Sequence, residues 1–147
     1  MVDKDYLKMH LQHRIELREE QEWYAALYMQ SSMKAINMDG MPHGSGGVGD
    51  TAYYNILEKV ETEKKIKNLN AVIEKEYAAI NEILDKMQNP TEKKVLKMRY
   101  FQCMDWSEIR KLEFGARRDY YENEDKYKNK VFKMHGSALK HIKEVQS

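Results

Sequence analysis

Asn89-Pro90-Thr91-Glu92-Lys93-Lys94-Val95-Leu96-Lys97-Met98-Arg99-Tyr100, followed by Asp105-Trp106-Ser107-Glu108-Ile109, is the stretch on which the fold turns. Its first residues start a helix in order. Asn89 is placed to cap exposed amides, Pro90 takes the first helical position where no N–H is needed, and Glu92 supports the remaining amides. Val95, Leu96, Met98 and Tyr100 give this helix its apolar side. Asp105 with Glu108 three residues on repeats the starting signal, and a second short helix should bury Trp106, Ile109 and Leu112. Phe114-Gly115 ends it, because glycine takes the left-handed terminating conformation cheaply. A last helix carries Tyr127, Val131, Met134, Ala138 and Ile142 on one face, with Lys126, Lys128, Asn129, Lys130 and Lys133 around the rest. Gly136 weakens that helix locally. Lysines on a terminal helix are usually a solvated face. Two capped helices ahead of them change the reading. Apolar residues can then pin the last helix while its cations and amide meet phosphates and base edges, as a helix-turn-helix requires.

Upstream, residues 3–36 contain neither proline nor glycine, and Leu7, Leu11 and Ile15, then Ala26, Met29, Met33 and Ile36, keep helical spacing. One long amphipathic helix is predicted, with a possible break at the polar run 18–22. Residues 39–50 hold five of the seven glycines together with Pro42, so the helix cannot continue there. A second helix is predicted from Thr51, capped by Asp50, to about Gln88. Within it Ile66, Leu69, Ile73, Tyr77, Ile80, Leu84 and Met87 alternate spacings of three and four, the repeat of a coiled-coil seam. Glu76 beside that seam is placed to fix register. Two such helices joined by a loop predict an antiparallel hairpin, packed on itself or on a second copy. The fold class is therefore all-α. A helical hairpin over 1–88, with a Gly-rich loop at 39–50, precedes a helix-turn-helix module over 89–147.

The charge is unevenly spread. Net charge is +1, yet residues 1–85 hold 10 Lys and Arg against 15 Asp and Glu, −5, whereas residues 86–147 hold 15 against 9, +6. That asymmetry is expected of a chain whose second half meets a polyanion. The single Cys103 cannot form an intramolecular disulfide, and residues 1–11 mix charges among apolar side chains. An intracellular, cytoplasmic location is the expectation. The longest apolar run, 23–29, is far shorter than the roughly 20 residues of a membrane span, so no membrane partner is predicted.

Other chemistries lack a foothold. Gly44-Ser45-Gly46-Gly47-Val48-Gly49-Asp50-Thr51 has the glycines of a phosphate loop, but Asp50 stands where the lysine belongs and no buried strand leads in. His10 and His13 share a helix face without an evident third ligand, so no metal is predicted. His135 is placed to touch a phosphate or nothing. Cys103 has no base partner, no set of catalytic roles assembles, and neither an enzyme nor a cofactor is expected.

The 90–100 segment, with Trp106-Ser107-Glu108-Ile109 and Val131-Phe132-Lys133-Met134-His135 before Ala138, Leu139 and Ile142, resembles the region-4 helix-turn-helix of bacterial sigma factors. Among their relatives it is most similar to the phage late-gene activators of the RinA and ArpU type. The resemblance covers slightly over a third of the chain and leaves the N-terminal hairpin outside. It implies a DNA-binding activator of phage or prophage late genes, working in the cytoplasm of a bacterial host. Where the sigma pattern has a short turn, this chain has eighteen residues between Leu112 and Val131. The extra piece either lengthens the turn or extends the last helix backward. Arg117 and Arg118 therefore compete with Lys128 and Lys130 as reading residues. Asn129 and Lys130 are assigned to base edges, and Lys126, Lys128 and Lys133 to phosphates. Double-stranded DNA, RNA polymerase and a second copy of the chain are the expected partners. The alternative is an interaction protein that docks on polymerase or another protein and never grips DNA alone.

Overall fold

The computed structural model describes the backbone of residues 1–37 and 48–147 and the side chains of residues 1–30 and 51–147. The loop predicted at 39–50 falls largely outside the described residues. Among those described the chain is all-α, without a strand. Its helices are α1 (Lys4–Asn37), α2 (Val48–Lys86), α3 (Pro90–Leu96), α4 (Trp106–Phe114) and α5 (Glu124–Gln146), and α3 continues into a π-helical turn, Lys97–Phe101. The polar run 18–22 does not break α1. A helix needs only backbone pairing to pass such a run, and Arg18, Glu19, Glu20 and Glu22 are all good helix formers. α2 begins before its predicted start, so Asp50 lies inside the helix and is not its cap. No helix among the described residues is long and apolar enough to cross a membrane.

Packing divides the chain into two compact units, Met1–Arg14 with Ile73–Ser147, and Ile15–Val72. These boundaries differ from the 88/89 division read in the sequence. The first unit buries Leu7 and Leu11 of α1 and Ile73, Ile80 and Leu84 of α2 as well as the C-terminal helices' apolar residues. There, a polar pin joins α1 to α2. Glu76, itself 4% exposed, accepts hydrogen bonds from His10 Nδ1 at 3.1 Å and His13 Nδ1 at 2.9 Å. Arg14 Nε donates to His10 Nε2 at 2.7 Å, which leaves the His10 ring proton on Nδ1, facing the carboxylate. Burial holds the His10 pKa below its ordinary value, so the ring is neutral at pH 7. Phe101 at the end of the π-helical turn packs edge-on to His10 and lies 4.7 Å from the Tyr77 ring, joining the third element.

In the second unit α1 and α2 run antiparallel: Tyr24 donates to Glu63 at 2.6 Å, and Lys59 lies 5.0 Å over the Tyr28 ring. Leu27, Asn55 and Thr62 are buried between them, while Trp23, Met29, Tyr53, Ile56, Leu57 and Val60 are exposed.

Candidate nucleic-acid interface

α3 and α4 are set by local caps. Asn89 Oδ1 accepts from Thr91 N at 3.0 Å and Glu92 N at 3.3 Å, with Pro90 at the first helical position. Asp105 Oδ1 accepts from Glu108 N at 2.8 Å and starts α4 in the same way. Between them, Cys103 takes the left-handed conformation, φ 56°, closing the turn between the first two helices. Arg99 braces that turn by donating to Met104 O at 2.9 Å, with its guanidinium 4.9 Å over the Trp106 ring. Val95, Met98, Ile109, Phe114, Tyr120, Tyr127 and Val131 form the buried cluster, against which Met104, Trp106 and Met134 pack.

Several sequence expectations are corrected. Glu92 does not serve the helix amides. It is buried, accepting from Ser137 Oγ at 2.7 Å and facing His141 Nδ1 at 2.6 Å, so it ties α3 to α5. That partner raises the His141 pKa. Leu112 is 62% exposed and anchors nothing, because α4 turns Ile109 and Phe114 inward instead. Gly115 is not left-handed. It ends α4 at φ −62°, ψ −23°, and a Cβ there would meet the Lys111 carbonyl oxygen at 2.3 Å. His135 is buried and bonded to the Tyr100 hydroxyl at 2.8 Å, with its ring against Trp106. It therefore has no free edge for a phosphate. α5 runs unbroken through Gly136.

The extra residues between α4 and α5 are turns and do not lengthen the last helix. Tyr120 holds them to the core, buried 5.8 Å from the Tyr127 ring and accepting from Arg110 Nε at 3.2 Å. Asp119 accepts from the Tyr127 hydroxyl and from Asn123 Nδ2, which fixes the entry into α5. Those hydrogen bonds, the tyrosine's foremost, lower the Asp119 pKa.

All seven residues assigned to DNA are exposed: Arg117 and Arg118 in the turns, Lys126, Lys128, Asn129, Lys130 and Lys133 on α5. They do not share one face. Lys126, Lys130 and Lys133 follow helical spacing and form a stripe. Arg117 joins this stripe, its guanidinium 5.6 Å and Lys130 Nζ 5.8 Å from the Phe114 ring. Lys126 also lies 3.9 Å from Asp119. Lys128 is about 200° round the helix from Lys130. It sits 5.9 Å from Phe132, whose ring meets Trp106 on the opposite flank. Asn129 and Lys133 continue on the outer face with Lys140, which the sequence reading missed. A signal was present: from Lys126 to Lys143 the chain has six lysines and no carboxylate. Their fields add along the helix, offset at its start by Asp119 beside Lys126 and at its two ends by Asp125 and Glu144.

Comparison with known proteins finds no family model, no curated protein and no solved structure that matches this chain.

Proposed function

We propose that this chain is a sequence-specific DNA-binding transcription regulator, an activator of phage or prophage late genes of the RinA and ArpU type that binds duplex DNA as a homodimer. The observation that carries this reading is the exposed run of six lysines over residues 126–143 of α5, without a carboxylate within that span, presented by two capped helices and a shared core. A helix so held can enter a major groove with its cations toward phosphates and an amide toward base edges. Lys126 and Lys130 with Arg117 take the phosphates, and Asn129 and Lys133 face the groove. Lys128 takes a flanking phosphate at most. Trp23, Met29, Tyr53, Ile56, Leu57 and Val60 of the Ile15–Val72 unit form the proposed surface between copies.

The test is a mobility shift with fragments selected from the source genome, over a series of salt concentrations. Binding should weaken steeply with salt. Lys126→Glu with Lys130→Glu should remove the shift with helical circular dichroism unchanged, while Lys130→Gln alone should lower the salt slope by about one. Unchanged binding by the double variant sinks the assignment of α5.

Leu112, exposed on α4, favours a second reading in which this module docks on RNA polymerase or another protein without gripping DNA alone. A pull-down from host lysate, with and without nuclease, separates the two. Polymerase retained after nuclease, with no fragment shifted, favours docking.

A further inference from the structure

Away from the lysine stripe, the first unit contains a cleft of about 300 Å³ between the start of α1 and the C-terminal helices. Three cations border it. Lys4 and Lys8 come from adjacent turns of α1, and Arg99 from the π-helical turn. No carboxylate is among its lining residues, and no described acid forms an ion pair with any of these three. Three like charges around one concavity repel one another, so an anion between them relieves a standing electrostatic cost. Arg99 is already oriented by its bond to Met104 O and its stacking on Trp106, which leaves less side-chain entropy to lose on binding.

Apart from Leu11, the remaining walls are aromatic. Phe132 is 41% exposed at the cleft, and its ring lies 5.5 Å from that of Trp106. Cations for a phosphate beside an aromatic surface for a ring are the two halves of nucleotide recognition. We infer that this cleft binds a nucleotide, its phosphate held by Lys4, Lys8 and Arg99 and its base laid against Phe132. His135 at the cleft floor fits this arrangement. Its pKa is lowered to about 4, by burial first and then by Lys4, Arg99 and Lys8, so it stays neutral and does not add a fourth charge. The cleft uses none of the seven residues assigned to DNA, although Lys128 lies 5.9 Å from the Phe132 ring. The nucleotide is either free or part of a nucleic-acid strand.

Trp106 makes the cleft observable. The chain has two tryptophans, and Trp23→Phe leaves Trp106 as the reporter. Titrating the full-length Trp23→Phe protein with inorganic phosphate, and then with adenosine 5′-monophosphate at matched ionic strength, should give saturable changes in emission. The nucleotide should bind at least about tenfold tighter than phosphate, as one stacked base provides. A bound anion should also move the His135 titration, followed by proton NMR, upward from about 4. Lys4→Gln with Lys8→Gln should weaken binding about tenfold or more, given the strength of charged hydrogen bonds. Lys64→Gln with Lys65→Gln, equal in charge change and exposed on α2, should leave it unchanged.

A linear response indistinguishable from chloride, or equal weakening by both lysine pairs, overturns the site. Phosphate binding as tightly as the nucleotide overturns the assignment of the base. With the site established, competition by a single-stranded oligonucleotide for the same Trp106 signal identifies a strand as the source. Simultaneous binding identifies a free nucleotide.

Discussion

His135 is buried, bonded to the Tyr100 hydroxyl and set against the Trp106 ring. Its folded pKa of about 4 lies below the ordinary 6.5, so the unfolded chain takes up a proton that the native protein refuses. The stability linked to this group is complete above about pH 6.5. It falls as pH drops toward 4, at up to about 1.4 kcal/mol per pH unit. His10, also lowered, adds loss in the same direction, whereas His141, raised by Glu92, opposes it. Urea unfolding between pH 7 and 4 should show declining stability, and His135→Leu should flatten the decline; an equally steep profile in the variant rejects His135 as its source. Gly136 is simpler. It lies within α5, and a Cβ there meets nothing within 4 Å. Gly136→Ala should stabilise the protein by about 0.5–1 kcal/mol, read as a higher urea midpoint. Neither residue's surroundings were legible in the sequence. Position 136 looked like a weakness in the helix, and His135 looked like a surface contact, because the Tyr100 bond joins residues 35 apart.

Among the elements, what was legible is what side chains do to their own backbone. The caps Asn89 and Asp105, and the apolar spacing of α3 and α5, could be read because each rule acts over three or four residues. Asp105→Ala should cost about 1 kcal/mol, mostly as earlier loss of α4, measurable by chemical denaturation. A loss under a few tenths would mean that Trp106 and Ile109 hold α4 without its cap. The rest depended on distant chain. Glu76 was placed by its seam position, but its two histidine donors lie 66 and 63 residues away. Glu92 was read as a local support because its partners on α5 are 45 and 49 residues on. The eighteen residues between Leu112 and Val131 admitted two structures, and the tie made by Tyr120 to Arg110 and Tyr127 decided for turns. In the candidate interface, the exposure of the five residues on α5 was legible from helical spacing, and that of Arg117 and Arg118, which lie in turns, was not. Nor was the division of the seven between two flanks, since it follows from where Phe114 and Trp106 pack.

For the whole molecule, the all-α architecture followed from uninterrupted helical spacing over most of the chain. The use of the Ile15–Val72 unit is a matter of association. Its exposed Tyr53, Ile56 and Leu57 occupy one stretch of α2 in a pair of helices that buries little. The homodimer proposed above predicts a concentration-dependent mass of twice 17.5 kDa in sedimentation equilibrium. Ile56→Glu with Leu57→Glu should return it to the monomer without loss of helix. A wild-type chain monomeric throughout the accessible concentration range rejects that surface.

The division into units also carries a consequence for folding. The first unit is discontinuous: α1 supplies Leu7 and Leu11 at one end, and the chain returns to the same core at Ile73 only after the whole of the second unit. Bringing those ends together closes a loop of 58 residues. Relative to a loop of about six residues this costs roughly 2 kcal/mol of chain entropy if the interval is a coil. Where α1 and α2 are already helical, far fewer conformations remain to be surrendered. The long helices then act as a scaffold for nucleation, making late docking of the N-terminal turn a search over few orientations.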